Sequence, residues 1–152
     1  DDVTMGHNHA SLQGKWKAGD GQGTKMRDIT DGASNTLMVT EVIRFDSSQD
    51  GRGAWFWGGM GGSAITAKYG PNSYEDDVVA ICDETKIPED DPRHCILNRA
   101  DGLVWASARS WHPNGVMGVL ADGSTHFFPE NMELRIWRAY ATRSAGDLLD
   151  SE

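Results

Sequence analysis

Asp122-Gly123 stands between two short runs of strand character, 115–121 and 124–128. An Asp-Gly pair flanked by apolar residues signals a two-residue hairpin, because Gly accepts, and Asp tolerates, the positive φ of a type I′ turn. That turn sets a register in which Ala121 faces Ser124, Val119 faces His126 and Met117 faces Phe128. The other face then carries Val116, Gly118, Leu120, Thr125 and Phe127, with the Phe127 ring covering the bare backbone of Gly118. Both faces are partly apolar, so the hairpin belongs inside a sheet covered on at least one side. Pro113-Asn114-Gly115 reads as the turn that leads into it.

A helix follows. Asn131 is suited to the N-cap and Glu133 to the first turn, where the dipole favours an anion. Leu134, Trp137 and Ala141 share one helical face, widened by Ile136 and Tyr140. Arg135, Arg138 and Arg143 fall on the solvent side or near the C-terminal end, and Gly146 suits a stop. Residues 109–143 thus read as hairpin plus amphipathic helix. Upstream, 30–35 reads as a turn and 36–43 as a central strand, being apolar and partly β-branched. Glu41 within it is expected in an ion pair or exposed, since burial without a partner is costly. Ala54-Trp55-Phe56-Trp57 reads as a short strand before a glycine run, and 65–69 as another strand. Residues 1–25 carry little periodicity and read as irregular, pinned by Trp16; 70–100 read as a long acidic excursion punctuated by Pro71, Pro88 and Pro92.

With 152 residues the chain is expected to form a single domain, long enough to bury a core. The fold class is α+β: an antiparallel β-sheet with a C-terminal amphipathic helix and a long irregular excursion. A net charge of −9 argues against nucleic acid or an anionic membrane surface as a partner. No run approaches the ~20 apolar residues that span a bilayer.

Several segments resemble one family. Ser110, Trp111, His112, Pro113, Asn114, Gly115 and Val116 lead, nine residues after His112, to Ala121, Asp122, Gly123, Ser124, Thr125, His126 and Phe127. Trp137, Arg138, Ala139, Tyr140, Ala141, Thr142 and Arg143 follow. Upstream, 27–39 holds Asp31, Gly32, Ala33, Ser34, Asn35 and Thr36, and the middle holds Pro71, Asn72, Ser73 and Cys82. Together these resemble the prepilin-type proteins abundant in planctomycetes, whose domain is of unknown function and which are related to type II secretion pseudopilins. The resemblance spans roughly 26–143 and implies a pilin-like globular domain. Family members open with a basic leader and a long hydrophobic helix; this chain opens Asp1-Asp2-Val3-Thr4. The expected fold therefore lacks that N-terminal hydrophobic helix, which would be its one route to a membrane. The resemblance implies a structural subunit, assembling as a homo-oligomer or filament with pilin-like or secretion-system components. Its place would be extracellular, at the cell surface or in the periplasm.

For such a secreted protein Cys82 and Cys95 are expected to form a disulfide worth about 3 kcal/mol. The alternatives are two free thiols, or zinc with His94, which lacks a second ligand pair. His7 and His9, two apart, would share a strand face and so offer a metal site. Asp76 and Asp77, with the other residues of the clusters 75–77 and 89–91, would suit calcium, though without EF-hand spacing. The bland reading of all these is solvated side chains, and no cofactor is expected. Ser110, His112 and Asp122 hold the letters of a hydrolase triad, but an extended strand would part its ends by roughly 30 Å. Nor is there a Gly-x-Ser-x-Gly elbow. No catalytic residue is expected; His112, Asp122, Gly123, Trp137 and Arg138 are assigned to the fold. Among six tryptophans, Trp55, Trp57 and Trp111 are candidates for contact with a ligand or partner. They keep a polysaccharide-binding module open as the leading alternative, ahead of a metal-dependent enzyme.

Overall fold

The computed structural model describes residues 24–54, 58–98 and 103–146. Two 3-10 turns, Met26–Asp28 and Ala33–Asn35, precede strand β1, Leu37–Thr40. Strands β2 (Asp77–Val79) and β3 (Cys95–Leu97) lie in the acidic excursion. Strands β4 (Gly115–Leu120) and β5 (Thr125–Pro129) form the hairpin, and helix α1 (Leu134–Tyr140) closes the described fold. The α+β class and the C-terminal helix are as expected. Among the described residues no helix is long and apolar enough to cross a membrane.

The hairpin register differs from expectation by one residue. Val116 pairs with Phe128, Met117 with Phe127 and Gly118 with His126. The turn takes three residues, Ala121, Asp122 and Gly123: the Gly123 N–H donates to the Leu120 carbonyl, the Leu120 N–H to the Ser124 carbonyl, and Gly123 sits at φ +89°. This is a type I turn closed by a left-handed glycine, and it absorbs the extra residue that a two-residue turn would have paired. The slip changes which aromatic is buried. Phe128, not Phe127, shares the inner face with Val116, Gly118 and Leu120, and its ring lies over Gly118. A methyl on Gly118 would come within 2.7 Å of that ring and 2.6 Å of Leu37.

The sheet order is β1-β4-β5, antiparallel throughout, so β4 is central. The stretch 36–43, expected as a central strand, pairs only over Leu37–Thr40, and at an edge. A bulge at Met38 breaks its register. Residues 65–69 form no strand, although the Thr66 N–H donates to the Ala106 carbonyl. Helix α1 starts at Leu134 with Glu133 as its N-cap and no side-chain cap; Asn131 does not fill that role. Its apolar face is as expected. Trp137 is fully buried, edge-on to Phe128 at 5.5 Å, and Tyr140 meets Phe128 at 5.1 Å.

The excursion is more regular than expected. β2 and β3 form a parallel pair, Asp77 to Cys95 and Val79 to Leu97, and Val78 makes an antiparallel bridge to Trp105. Parallel neighbours need a long connection; here it is closed by the Cys82–Cys95 disulfide. Met60, Val79, Cys82, Ile87, Cys95 and Ala106 form a second apolar cluster beside the main one beneath the sheet. The stretch 106–108 joins them, Ala106 packing in the second cluster and Ala108 in the first.

Candidate functional site

The two ends of β4 hold the motif residues. At one end the Asp122 carboxylate accepts from the Ser124 N–H at 2.9 Å and its hydroxyl at 2.7 Å. Those bonds hold the Asp122 carboxyl below the ordinary carboxylate range. The Asp122 N–H donates to the Ala33 carbonyl, and the Ala121 N–H to the Thr36 carbonyl, so the tip rests on the upstream turn. At the other end His112 Nε2 lies 3.2 Å from Glu41 Oε1, while Glu41 Oε2 accepts from the Met117 N–H at 2.7 Å. Glu41 therefore ties His112 to the strand edge. Ser110 is spent on the turn, its hydroxyl donating to the Gly115 carbonyl at 2.8 Å. Asn72 joins the same knot: its amide donates to the Gly115 carbonyl and its Oδ1 accepts from the Ser110 N–H. The side chains of Ser110 and His112 serve the turn into β4, the Ser110 Oγ also accepting from the His112 N–H at 3.0 Å, while Asp122 serves the opposite end.

Between these ends lies the outer face of the sheet. Val39 pairs with Val119, Val119 with Thr125, and Met117 with Phe127. Val39 is 53% exposed, Met117 36% and Phe127 46%. Met38, pushed out by the bulge, is 46% exposed. Three strands thus present a shared apolar surface with no covering layer among the described residues. Beyond the His112 end stands Trp111, 69% exposed, with the Arg93 guanidinium 5.4 Å from its ring centre.

Beneath the excursion the chain buries charge. Arg52 lies with Nη2 2.8 Å from Asp50 Oδ2 and donates through Nη1 to Asp77 at 3.4 Å and to the Arg93 carbonyl at 2.5 Å. Asp77 Oδ1 accepts from Arg109 Nη2 at 3.1 Å and from the Ser107 N–H at 2.9 Å. Arg109 Nε also donates to the Asp77 carboxylate, and Nη1 and Nη2 reach the Ser73 and Glu75 carbonyls. Asp50, Arg52, Asp77 and Arg109 are all buried at their side chains, two charges of each sign with their hydrogen-bonding groups engaged. Such a cluster is costly to break by removing one member. Around it, Ser47, Lys86 and Thr85 hold the Asp83 carboxyl below its ordinary range. Asp91 falls to about 2, chiefly through its hydrogen bonds with Arg93.

The structure places two of the metal candidates. Both oxygens of Asp77 are held by Arg52 and Arg109, so it is an internal counter-ion and not an open ligand. Asp76 faces His94, with Oδ1 2.5 Å from Nδ1. Asp50, Cys82 and Cys95 bring their ligand atoms together, but the sulfurs are bonded to each other and Asp50 is held by Arg52. Arg138, expected on the solvent side, donates to the Ala67 and Lys68 carbonyls and ties the helix to that segment. Trp137 anchors the core, although its indole N–H has no acceptor. His7, His9, Trp16, Trp55 and Trp57 lie outside the described residues.

Sequence reasoning missed Asp31 and the two buried arginines. Asp31 accepts from the Ala145 and Gly146 N–H groups at 2.9 Å and from the Thr142 hydroxyl at 3.2 Å, capping the chain beyond the helix. Its position inside the family-like Asp-Gly segment was a signal; its partners, more than a hundred residues away, were not. Arg52 and Arg109 had no local mark at all.

Residues 1–135 match the model of a family described as "Protein of unknown function (DUF1559)". No curated protein and no solved structure matches the chain.

Proposed function

The chain belongs to this family of unknown function, and on that premise we propose that it is a structural subunit, pilin- or pseudopilin-like, working outside the cytoplasm. The observation that carries the reading is the apolar outer face of the sheet. Val39, Met117 and Phe127 come from three adjacent strands and are each about a third to a half exposed. Contiguous apolar surface on a rigid sheet suits protein–protein contact. Its occupant in this reading is another pilin-like subunit, a further copy of this chain or a secretion-system component. The Cys82–Cys95 bond suits an oxidising compartment. The motif residues fit the role as well. His112 and Asp122 stand at the two ends of the central strand and tie it to its neighbours. In this reading the domain has no enzymatic centre, no cofactor and no nucleic-acid partner.

Sedimentation velocity on the purified chain, with electron microscopy of the native particle, tests it. The expected result is a concentration-dependent assembly that Phe127→Asp abolishes while the thermal melt stays close to that of the parent. A chain that remains monomeric beside native particles of one subunit overturns the reading. So does an assembly that survives Phe127→Asp combined with Met117→Glu.

A further inference from the structure

A second surface lies away from that sheet face, where the segment 69–75 faces the turn joining β5 to α1. The two enclose an open groove of about 620 Å³, lined by Tyr69, Pro71, Tyr74, Glu75, Glu130 and Leu134 among others. That size falls within the range of ligand-binding clefts. We propose that this groove binds a basic, partly apolar peptide segment of a partner protein, with a lysine or arginine side chain seated between Tyr74 and the two carboxylates.

The walls of the groove are held from behind. Buried Arg109 donates to the Ser73 and Glu75 carbonyls, one on each side of Tyr74. Asn72 is fixed by Gly115 and Ser110, and the Asn72 N–H donates to the Ala108 carbonyl. On the far wall the Glu130 N–H donates to the Asn114 carbonyl and the Met132 N–H to the Pro129 carbonyl. The backbone is thus committed on both sides, which lowers the ordering cost a ligand has to offset. The side chains are not committed. Tyr74 is 92% exposed although its loop is pinned by a buried arginine. The Glu75 and Glu130 carboxylates have no cation partner among the described residues.

Arg109, Arg138 and Lys68, from the adjoining segments, already have partners. Arg109 faces Asp77, Arg138 holds the carbonyls of Ala67 and Lys68, and the Lys68 ammonium lies 3.0 Å from the Trp105 ring centre and 5.2 Å from that of Tyr69. Arg135 follows Leu134 but does not line the groove. Two unpaired carboxylates and the Tyr74 ring favour the same ligand charge, through Coulomb attraction and through the negative face of the ring. Met132 and Leu134 supply apolar contact for a neighbouring side chain. A chain of net charge −9 repels an acidic segment and attracts a basic one. The inference does not rest on the sheet face.

Fluorescence anisotropy with a labelled peptide Arg-Leu-Lys-Leu-Arg, titrated with the full 152-residue chain, tests it. The peptide is expected to bind, more weakly as salt rises. Tyr74→Ala, and Glu75→Gln with Glu130→Gln, should each weaken binding about tenfold. Asp46→Asn with Asp90→Asn, exposed carboxylates outside the groove, should leave it within about twofold. Circular dichroism melts of each variant verify that it is folded before it is scored. Three results would overturn the proposal: no peptide binding at low salt, an equal loss in the Asp46/Asp90 control, or preferential binding of a neutral hexasaccharide that Tyr74→Ala removes. The last would make the groove a saccharide site.

Discussion

Under the sheet, nine residues from Leu37 to Ala141 close an apolar core around Phe128 and Trp137. Under the excursion, six apolar residues do the same, two of them the disulfide cysteines. Beside them lie the buried charges Asp50, Arg52, Asp77 and Arg109. The first region is assembled largely from neighbours in sequence: β4, β5 and α1 follow one another within 115–140. The second draws on residues near 50, 77, 95 and 109, with short strands and little helix. Short segments of polar sequence cannot bury enough carbon to hold themselves, so cross-links and paired charges carry more of the load. The difference teaches where each region is fragile. One fails when volume changes, the other when a charge or a covalent bond is lost.

The largest effect is expected at Asp77. Asp77→Asn keeps the shape and removes the charge that faces Arg52 and Arg109, leaving buried cations under-compensated. A loss of about 3–5 kcal/mol is expected in urea denaturation. A loss under about 1 kcal/mol would mean that charge is not what holds the excursion together.

Reducing the Cys82–Cys95 bond comes next. The cysteines are 13 apart in sequence, and a loop of that size is worth about 3 kcal/mol in the chain-entropy view. Hydrogen exchange should show the loss concentrated in β2 and β3, with β4 and β5 still protected. Equal deprotection of both regions would erase the distinction between them.

The smallest changes probe the sheet. Gly118→Ala drives a methyl toward Leu37 and Phe128 and is expected to cost about 1–3 kcal/mol by overpacking. Gly123→Ala meets no atom within 4 Å, so only its left-handed backbone resists, at about 1 kcal/mol. If thermal melts reverse that order, turn geometry rather than core volume limits the sheet. The Asp122-Gly123 motif would then outrank the packing it introduces.

Much of the sheet region was legible because its information is local. Asp122-Gly123 announced a turn, and the spacing of Leu134, Trp137 and Ala141 announced the buried helix face. The one-residue slip was not legible. Type I′ and the three-residue turn accept the same Asp-Gly letters, and the choice between them rests on whether Phe127 or Phe128 fits under Gly118. His112 was assigned to the fold, but nothing near it named Glu41 as its partner.

By itself, then, the sequence determined the α+β class, the hairpin and its following helix, the family, and a surplus of acid that disfavours anionic partners. Tertiary structure alone decided that 36–43 would end at an edge, that β2 and β3 would run parallel, and that Asp31, Asp77, Arg52 and Arg109 would be buried. It also decided which side chains were left over: Val39, Met117 and Phe127 on the sheet, Tyr74, Glu75 and Glu130 in the groove. The physical reason is range. Turn chemistry and hydrophobic periodicity act over a few residues and are written in order along the chain. A buried ion pair or a shared surface depends on segments that meet only after folding, and a charged residue carries no local mark of the partner it will find.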